Sequence, residues 1–243
     1  MTPLLIRPDW PAPPRVRAAQ TTRIGGFSQG VHAGFNLGTR CGDDPGAVAG
    51  NRRLLAETLQ LPAEPGWLQQ VHGAGVVRLP VSGLPEADAS IATGPGQVCV
   101  AQTADCLPVL FCDDQASVVA AAHAGWRGLA GGVLEATIAA LPVPPARLLA
   151  WLGPAIGPSA FEVGPEVRQA FVDLDPGAVG CFQPAAPGKF LADLYALARR
   201  RLARAGVDRV YGGGLCTHGD AQRFYSFRRD ARCGRMASLV WLA

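Results

Sequence analysis

The sequence predicts one mixed α/β domain, of the α+β type, in which layered mixed β-sheets are flanked by helices. Two observations support this prediction. Between residues 76 and 123, short apolar segments alternate with Gly, Pro or Asp, a pattern typical of buried strands. After residue 123, segments with helical periodicity alternate with further short apolar segments. No internal repeat, heptad pattern or low-complexity linker divides the 243 residues.

The pattern of breakers and apolar residues predicts the individual elements. The first helix is expected to begin at Asp44-Pro45, where an N-capping Asp precedes a Pro at the first helical position. Helices are predicted over residues 46–59, 129–141, 164–173 and 191–205. Strands are predicted over residues 76–79, 87–91, 97–102, 108–112, 117–123, 148–152, 210–213, 225–228 and 239–242.

The N-terminal end is Pro-rich, and we expect residues 1–17 to form an extended segment that precedes a domain over residues 18–243. No apolar run reaches the 18 residues of a membrane span. The segment Leu4-Leu5-Ile6 is too short for the apolar core of a secretory signal. We therefore expect a cytoplasmic protein with no membrane partner.

Charge and cysteine content limit the classes of protein that the sequence can represent. The net charge is +3, and every basic residue except Lys189 is an Arg, so the mild basicity reflects composition. No nucleic-acid recognition motif accompanies it, and no nucleic-acid partner is expected. The seven Cys are odd in number and form no Cys-x-x-Cys motif. Reduced thiols are the simplest interpretation.

Two of the four His and one Cys lie where predicted strands end beside Gly or Pro. His72 lies in a polar interruption, Cys106 follows Thr103-Ala104-Asp105, and His123 ends a predicted strand. Strand ends joined by glycine loops are where functional sites assemble, although each residue taken alone is more often structural. Together, two imidazoles and a thiolate suit zinc or copper with one open coordination position. The same residues also suit a metal-free Cys–His hydrolase dyad, and their spacing does not separate the two.

A second group of candidates is cationic. Arg23 precedes a Gly-Gly turn, Arg127 lies in the glycine loop after His123, and Arg228 follows an aromatic segment. Arg binds phosphate or carboxylate in a bidentate manner, so these three are candidate anion ligands. Most of the other Arg residues are expected on the solvated surface.

Many short motifs, spread in order from Arg23 to Arg235, resemble those of the laccase-domain family. The family has been described as polyphenol oxidase or multicopper oxidase, and its members are regarded as purine nucleoside phosphorylases and, in part, as peptidoglycan editing factors. The motifs are Thr22-Arg23-Ile24-Gly25-Gly26-Phe27-Ser28, Phe35-Asn36-Leu37-Gly38, Gly42-Asp43-Asp44-Pro45, Asn51-Arg52, Gln70-Val71-His72-Gly73, Ala87-Asp88-Ala89, Thr103-Ala104-Asp105-Cys106-Leu107-Pro108, His123-Ala124-Gly125-Trp126-Arg127-Gly128, Gly153-Pro154-Ala155-Ile156 and Tyr225-Ser226-Phe227-Arg228-Arg229.

This resemblance implies a fold similar to that of a bacterial toxin deamidase and a zinc site made by His72, Cys106 and His123, with copper as the alternative metal. It also implies phosphorolysis of adenosine, inosine and methylthioadenosine, together with adenosine deamination. Arg23, Asn36, Arg127 and Arg228 are then candidate ligands of the nucleoside and phosphate. Asp105 is a candidate proton carrier or a carboxylate that orients a metal ligand.

Three alternative functions remain open at this stage. A copper oxidase is disfavoured, because four His cannot build a trinuclear cluster and neither Met1 nor Met236 is near the three residues in sequence. A cysteine hydrolase or amidase acting on cell-wall precursors would use Cys106 as nucleophile and His123 as base. A binding module without activity would expose an apolar patch. A monomer or small homo-oligomer fits the chain length.

Overall fold

The computed structural model describes residues 2–243 and shows three β-sheets flanked by helices. The strands are β1 (Leu5–Ile6), β2 (Val16–Thr21), β3 (Val76–Arg78), β4 (Ala89–Ala92), β5 (Val98–Thr103), β6 (Leu107–Asp113), β7 (Val119–Ala124), β8 (Leu148–Leu152), β9 (Glu162–Val163), β10 (Phe182–Pro184), β11 (Phe190–Ala192), β12 (Arg209–Gly212) and β13 (Met236–Leu242). The α-helices are α1 (Pro45–Leu59), α2 (Trp126–Ala130), α3 (Val133–Ala140), α4 (Pro165–Val172), α5 (Leu194–Arg204) and α6 (Phe227–Asp230). Across residues 2–243, no helix is long and apolar enough to cross a membrane.

The largest sheet is mixed, whereas the other two are antiparallel, and together with the helices they form the predicted α+β fold. The largest has six strands in the order β12-β8-β6-β7-β4-β3, and the second has four in the order β1-β2-β13-β5. A small sheet, β10-β11-β9, completes the set. Two pairs, β12 with β8 and β3 with β4, are parallel, while the remaining pairs are antiparallel.

Side-chain alternation along the strands explains how the layers stack. In β5, Val98 and Val100 pack outward against α1, whereas Cys99 and Ala101 pack between the two larger sheets. β6 alternates in the same way, with Val109 and Phe111 in the core beneath the helices. Because successive side chains of a strand point to opposite faces, each strand contributes to two apolar layers. The fold is therefore a stack of α1, the four-stranded sheet, the six-stranded sheet and the helices α2 to α5.

Most predicted elements are present within one to three residues of their expected bounds. In α1, the Asp44 side chain accepts hydrogen bonds from the N–H groups of Gly46 and Ala47, which is the predicted cap. The predicted helix over residues 129–141 is instead two helices, α2 and α3. Gly132 separates them with a φ of +92°, a conformation that Gly adopts without steric cost.

Two further predictions of secondary structure are wrong in part. The predicted helix over residues 191–205 begins only at Leu194, because the Asp193 side chain caps its first turn and the preceding residues form β11. The predicted strand over residues 225–228 is not a strand. Ser226 accepts a hydrogen bond from the N–H of Arg229 and starts the short helix α6.

Inside the N-terminal segment, β1 pairs antiparallel with β2, and the Trp151 Nε1–H donates a 3.1 Å hydrogen bond to Asp9. β2 itself spans the predicted boundary at residue 17. The division of the chain at that point stays a prediction.

Candidate functional site

A cavity of about 660 Å³ opens where the two larger sheets are joined. β5 belongs to the four-stranded sheet and β6 to the six-stranded sheet, and the turn between them carries Asp105 and Cys106. The cavity is lined by aromatic, cationic and metal-ligating side chains. They include His72, Cys106, His123, Trp126, Phe161, Phe227, Arg40, Arg52, Arg127, Arg228 and Arg235.

The structure brings the three predicted metal ligands together. One donor atom from each of His72, Cys106 and His123 lies within 4.8 Å of the other two. The Cys106 Sγ is 3.8 Å from the His72 Nε2, and the two imidazole rings meet edge to face with centroids 4.8 Å apart. A metal ion could be held by these three groups, which would leave a position open toward the cavity.

Strand register places Cys106 beside His123. β6 and β7 are antiparallel, and Leu107 and Pro108 pair with Ala124 and His123. The first residues of β6 therefore lie opposite the last residues of β7, at the same edge of the sheet.

Asp88 holds both His ligands in place. Its carboxylate accepts a 2.7 Å hydrogen bond from the His123 Nδ1–H. It also accepts bonds from the N–H groups of Val71, His72 and Gly73 at 3.2, 3.0 and 2.7 Å. The His123 Nε2 is thereby left for a metal. The backbone of His72 is left-handed, with φ +62°, and the three N–H groups that bond the Asp88 carboxylate hold it in that conformation.

Two glycines allow the ligand-bearing segments to approach one another. A Cβ on Gly125 would lie 2.8 Å from the His72 Cδ2 and 3.0 Å from the Cys106 Sγ. A Cβ on Gly128 would lie 2.8 Å from the carbonyl oxygen of Gly73. The glycine loop after His123 is therefore required by packing against the other two ligands.

The electrostatics of the cluster favour the ligating form of Cys106. Burial acts to raise the pKa of this thiol, but the positive charge of His123 and hydrogen bonds from both imidazoles outweigh burial. The pKa of Cys106 is lowered to about 6 as a result. Thiolate is the form of Cys that binds metals and attacks electrophiles, so the cluster is chemically competent for either role.

Asp105 is held rigidly by neighbouring groups. Its two carboxylate oxygens accept hydrogen bonds from Thr217 Oγ1 at 2.6 Å, Ser226 Oγ at 3.0 Å and the N–H of Arg228 at 2.6 Å. The backbone of Asp105 is left-handed, with φ +89°. These bonds fix the turn that presents Cys106 and join it to the segment that carries Arg228.

The four candidate substrate ligands divide into two pairs. Arg127 and Arg228 line the cavity. Arg23 and Asn36 are not among its lining residues. The Arg23 guanidinium donates to the carbonyls of Ala33 and Ala221 and lies 4.7 Å from the Tyr225 ring centroid.

Asn36 is fully buried beneath the cavity wall. Its amide bonds to Asp43, at 2.8 Å, and to the N–H groups of Gly38 and Arg235. Asn36 therefore holds the segment that carries Gly38 in place, and its side chain has no free group for a substrate.

Several lining or supporting residues were not singled out from the sequence. Asp88 lies in the Ala87-Asp88-Ala89 motif, where an isolated carboxylate at the start of a buried strand is a usable signal of a role. The sequence does not distinguish Arg40, Arg52 and Arg235 from the many Arg residues expected on the surface. Their convergence depends on contacts between segments that are distant in the chain.

The chain combines an α+β fold of stacked sheets with a His–Cys–His cluster at the junction of two sheets. Residues 17–243 match the family model described as multi-copper polyphenol oxidoreductase laccase. The chain belongs to this family, as the motifs indicated.

Relatives and solved structures agree with this assignment. A Pseudomonas aeruginosa protein named purine nucleoside phosphorylase is 58% identical over 238 residues, which cover 98% of each chain. The purine nucleoside phosphorylase YfiH of Escherichia coli is 52% identical, again over 98% of each chain. The crystal structure of a Neisseria meningitidis protein superposes with a TM-score of 0.95 at 52% identity and covers 98% of both chains. YlmD from Geobacillus stearothermophilus gives 0.93 at 30% identity, with 98% of this chain and 96% of YlmD covered.

Proposed function

We propose that this protein is a metal-dependent purine nucleoside phosphorylase that cleaves adenosine, inosine and methylthioadenosine with phosphate. The products are the free base and a ribose 1-phosphate or its methylthio analogue. One observation carries the proposal: the His–Cys–His cluster and the cationic Arg127 and Arg228 line the same cavity. The names of the relatives support the same activity.

We infer that His72, Cys106 and His123 hold zinc, because a His₂Cys donor set with one open position is typical of catalytic zinc sites. When bound, the metal would act as a Lewis acid toward the purine and would activate water for the accompanying deamination of adenosine. Copper is the alternative, but a blue-copper site also needs a weak axial ligand, usually Met. Met236 packs with Ala104, Phe224, Tyr225 and Cys233 and is not a lining residue of the cavity.

The side chains of the cavity would bind and orient the reactants. The Arg228 guanidinium lies 5.5 Å from the Phe161 ring centroid and uses one N–H group to bond the carbonyl of Glu162. Its other N–H groups, together with those of Arg127, would hold phosphate in a bidentate manner against C1′ of the ribose. The rings of Trp126, Phe161 and Phe227 would cover the apolar faces of the nucleoside.

We assign Asp105 a positioning role. Its carboxylate oxygens accept three hydrogen bonds, two of them from Ser226 and from the N–H of Arg228. A carboxylate held in this way orients Cys106 and Arg228 relative to one another, and it is poorly placed to carry a proton in each turnover.

A cysteine hydrolase or amidase is the second candidate function. Cys106, His123 and Asp88 stand in the order thiol, imidazole and carboxylate that such enzymes use. However, the second imidazole, that of His72, lies 3.8 Å from the thiol, has no role in that chemistry and would complete a metal donor set. We therefore favour the metal-dependent reaction.

The test is a product assay with metal-replete protein, adenosine and inosine, in the presence and absence of inorganic phosphate. We expect free base and ribose 1-phosphate in equal amounts, and only when phosphate is present. Inosine formed from adenosine would report deamination separately. Base released together with free ribose, independently of phosphate, would show a hydrolase instead. Activity that survives removal of the metal by a chelator would favour the Cys–His mechanism.

A further inference from the structure

A second group of cationic side chains lines the cavity, apart from the pair assigned to phosphate. Arg40, Arg52 and Arg235 are lining residues, and all three are associated with one segment, residues 36–41. We call this group the second arginine cluster. The mechanism proposed above gives it no role.

Contacts between distant parts of the chain build this cluster. The Arg52 Nε and Nη2 groups both donate to the carbonyl of Leu37, at 3.1 and 2.9 Å, and the guanidinium lies 3.8 Å from the Trp67 ring centroid. The N–H of Arg235 donates to Asn36, and the N–H of Leu37 donates to the carbonyl of Arg235. Side chains from α1, from the segment before β13 and from the 36–41 segment thus converge on one wall.

Arg40 is the member of the cluster that is available to a ligand. Within residues 2–243 its guanidinium has no hydrogen-bond or ion-pair partner, and the residue is exposed at the turn after Gly38. The other two members are anchored to backbone carbonyls, but a guanidinium has five N–H donors and retains several for a ligand.

Charge in the cavity exceeds what one inorganic phosphate requires. Five Arg side chains line it, against the single carboxylate of Asp105, whose oxygens are already occupied by Thr217, Ser226 and Arg228. A phosphate dianion is satisfied by the two guanidinium groups of Arg127 and Arg228. The negative charge of Glu64 acts on Arg52, but neither of the other two members of the second arginine cluster forms an ion pair within residues 2–243. A cluster of this kind is suited to a second anionic group.

We propose that the second arginine cluster is a binding subsite for a phosphomonoester carried by the purine nucleoside itself. Nucleoside monophosphates then bind in the cavity more tightly than the parent nucleosides, while inorganic phosphate retains its own place at Arg127 and Arg228. This inference rests on the proposed function, since it takes the cavity to hold a purine nucleoside.

The test is a calorimetric titration of metal-replete protein with adenosine and with adenosine 5′-monophosphate, with and without saturating inorganic phosphate. We expect the monophosphate to bind about tenfold more tightly than adenosine. Saturating phosphate should preserve this preference. Arg40→Gln should remove most of it and leave adenosine affinity unchanged, whereas the control Arg53→Gln, an exposed neighbour on α1, should change neither affinity.

Three results would overturn the proposal. The first is equal affinity for adenosine and its monophosphate, and the second is no binding of either ligand. The third is a preference for the monophosphate that inorganic phosphate abolishes, and that is lost in Arg127→Gln but kept in Arg40→Gln. The last would place the monophosphate at the first phosphate subsite.

Failure of the proposed function has a different signature in this experiment. If adenosine is not cleaved in the product assay, but the monophosphate binds with the expected dependence on Arg40, the subsite stands and phosphorolysis falls. If adenosine is cleaved and the monophosphate binds no better than adenosine, phosphorolysis stands and the second subsite falls.

Discussion

The side of the cavity with the candidate metal ligands His72, Cys106 and His123, here the metal-ligating side, and the arginine side with Arg127 and Arg228 are held in place in different ways. His123 and Asp88 are buried, and the carboxylate of Asp88 bonds His123 and the backbone around His72. In contrast, Arg127 and Arg228 are exposed, and no carboxylate pairs with either of them within residues 2–243. The first side fixes donor atoms rigidly, whereas the second supplies charge on long and adaptable side chains.

This difference predicts two kinds of mutational response. A change on the metal-ligating side should alter metal binding and abolish activity with it, because the donors are fixed by shared contacts. A change on the arginine side should weaken the binding of an anion in a graded manner and leave the metal in place. The predictions that follow test this separation, starting with the largest expected effect.

Asp88→Asn should weaken metal binding 10- to 100-fold, the range found when a group that orients a metal ligand is replaced. The carboxylate accepts four hydrogen bonds, and an amide would direct its own N–H groups at some of those donors. Competition with a chelator of known affinity measures the change. Asp208→Asn, at an exposed position, is the control, and equal affinities for the two variants would refute the role of Asp88.

Gly125→Ala should weaken metal binding about tenfold although it removes no donor atom. The added methyl group would lie 3.0 Å from the Cys106 sulfur and 2.8 Å from the His72 ring, so the ligands must move apart. The matched control is Gly94→Ala, since a Cβ at Gly94 would meet nothing within 4 Å. Metal content after dialysis is the measurement. Full retention of metal by Gly125→Ala would show that the ligands are less tightly packed than described.

The three candidate metal ligands were also the residues of the site that were easiest to single out in the sequence. His is rare in this chain. His72 and Cys106 lie in short polar segments, and His123 ends an apolar strand before a glycine loop, so each could be singled out. The role of Asp88 could not be found in the same way. Its four hydrogen bonds depend on the pairing of β4 with β7 and on the loop before β3, which local sequence does not specify.

The arginine side was harder to predict, because its residues come from separate segments and resemble the many surface Arg residues. Arg127 and Arg228 line the cavity, whereas Arg23 and Asn36 support neighbouring loops. The same limit explains the misassigned strand at residues 225–228. The apolar residues of this segment favour a strand. In the structure, Ser226 caps a helix by accepting a bond from the Arg229 N–H, and the Arg228 N–H donates to Asp105, so the segment is helical.

Arg228→Gln should raise the KM for phosphate several-fold, up to about tenfold, because one charged donor group to the anion is lost. Metal content should remain that of the wild type. Arg232→Gln, an exposed position close in the chain and not among the lining residues of the cavity, is the control. A loss of metal in Arg228→Gln would contradict the separation of the two sides.

Asp113→Asn should leave activity unchanged and lower the free energy of unfolding by an amount that depends on pH. Burial acts to raise the pKa of Asp113, but hydrogen bonds from Ser117 and from the N–H of Val118 outweigh burial and lower the pKa below 3.8. The stabilisation is therefore present above pH 4 and is lost as the pH falls through the lowered pKa.

The expected cost of Asp113→Asn at neutral pH is about 1–3 kcal/mol in the free energy of unfolding. The difference from the wild type should shrink below pH 4, and urea denaturation at several pH values measures it. A difference that stays constant down to pH 3 would refute this assignment.

The most direct test of the central claim compares wild type, Cys106→Ala and Cys216→Ala for metal bound per chain and for phosphate-dependent release of base from adenosine. Cys216 is half-buried and is not a lining residue of the cavity. We predict about one metal ion per chain and full activity in the wild type and in Cys216→Ala, and loss of both in Cys106→Ala. Phosphate-dependent base release by a Cys106→Ala protein that binds no metal would contradict the account.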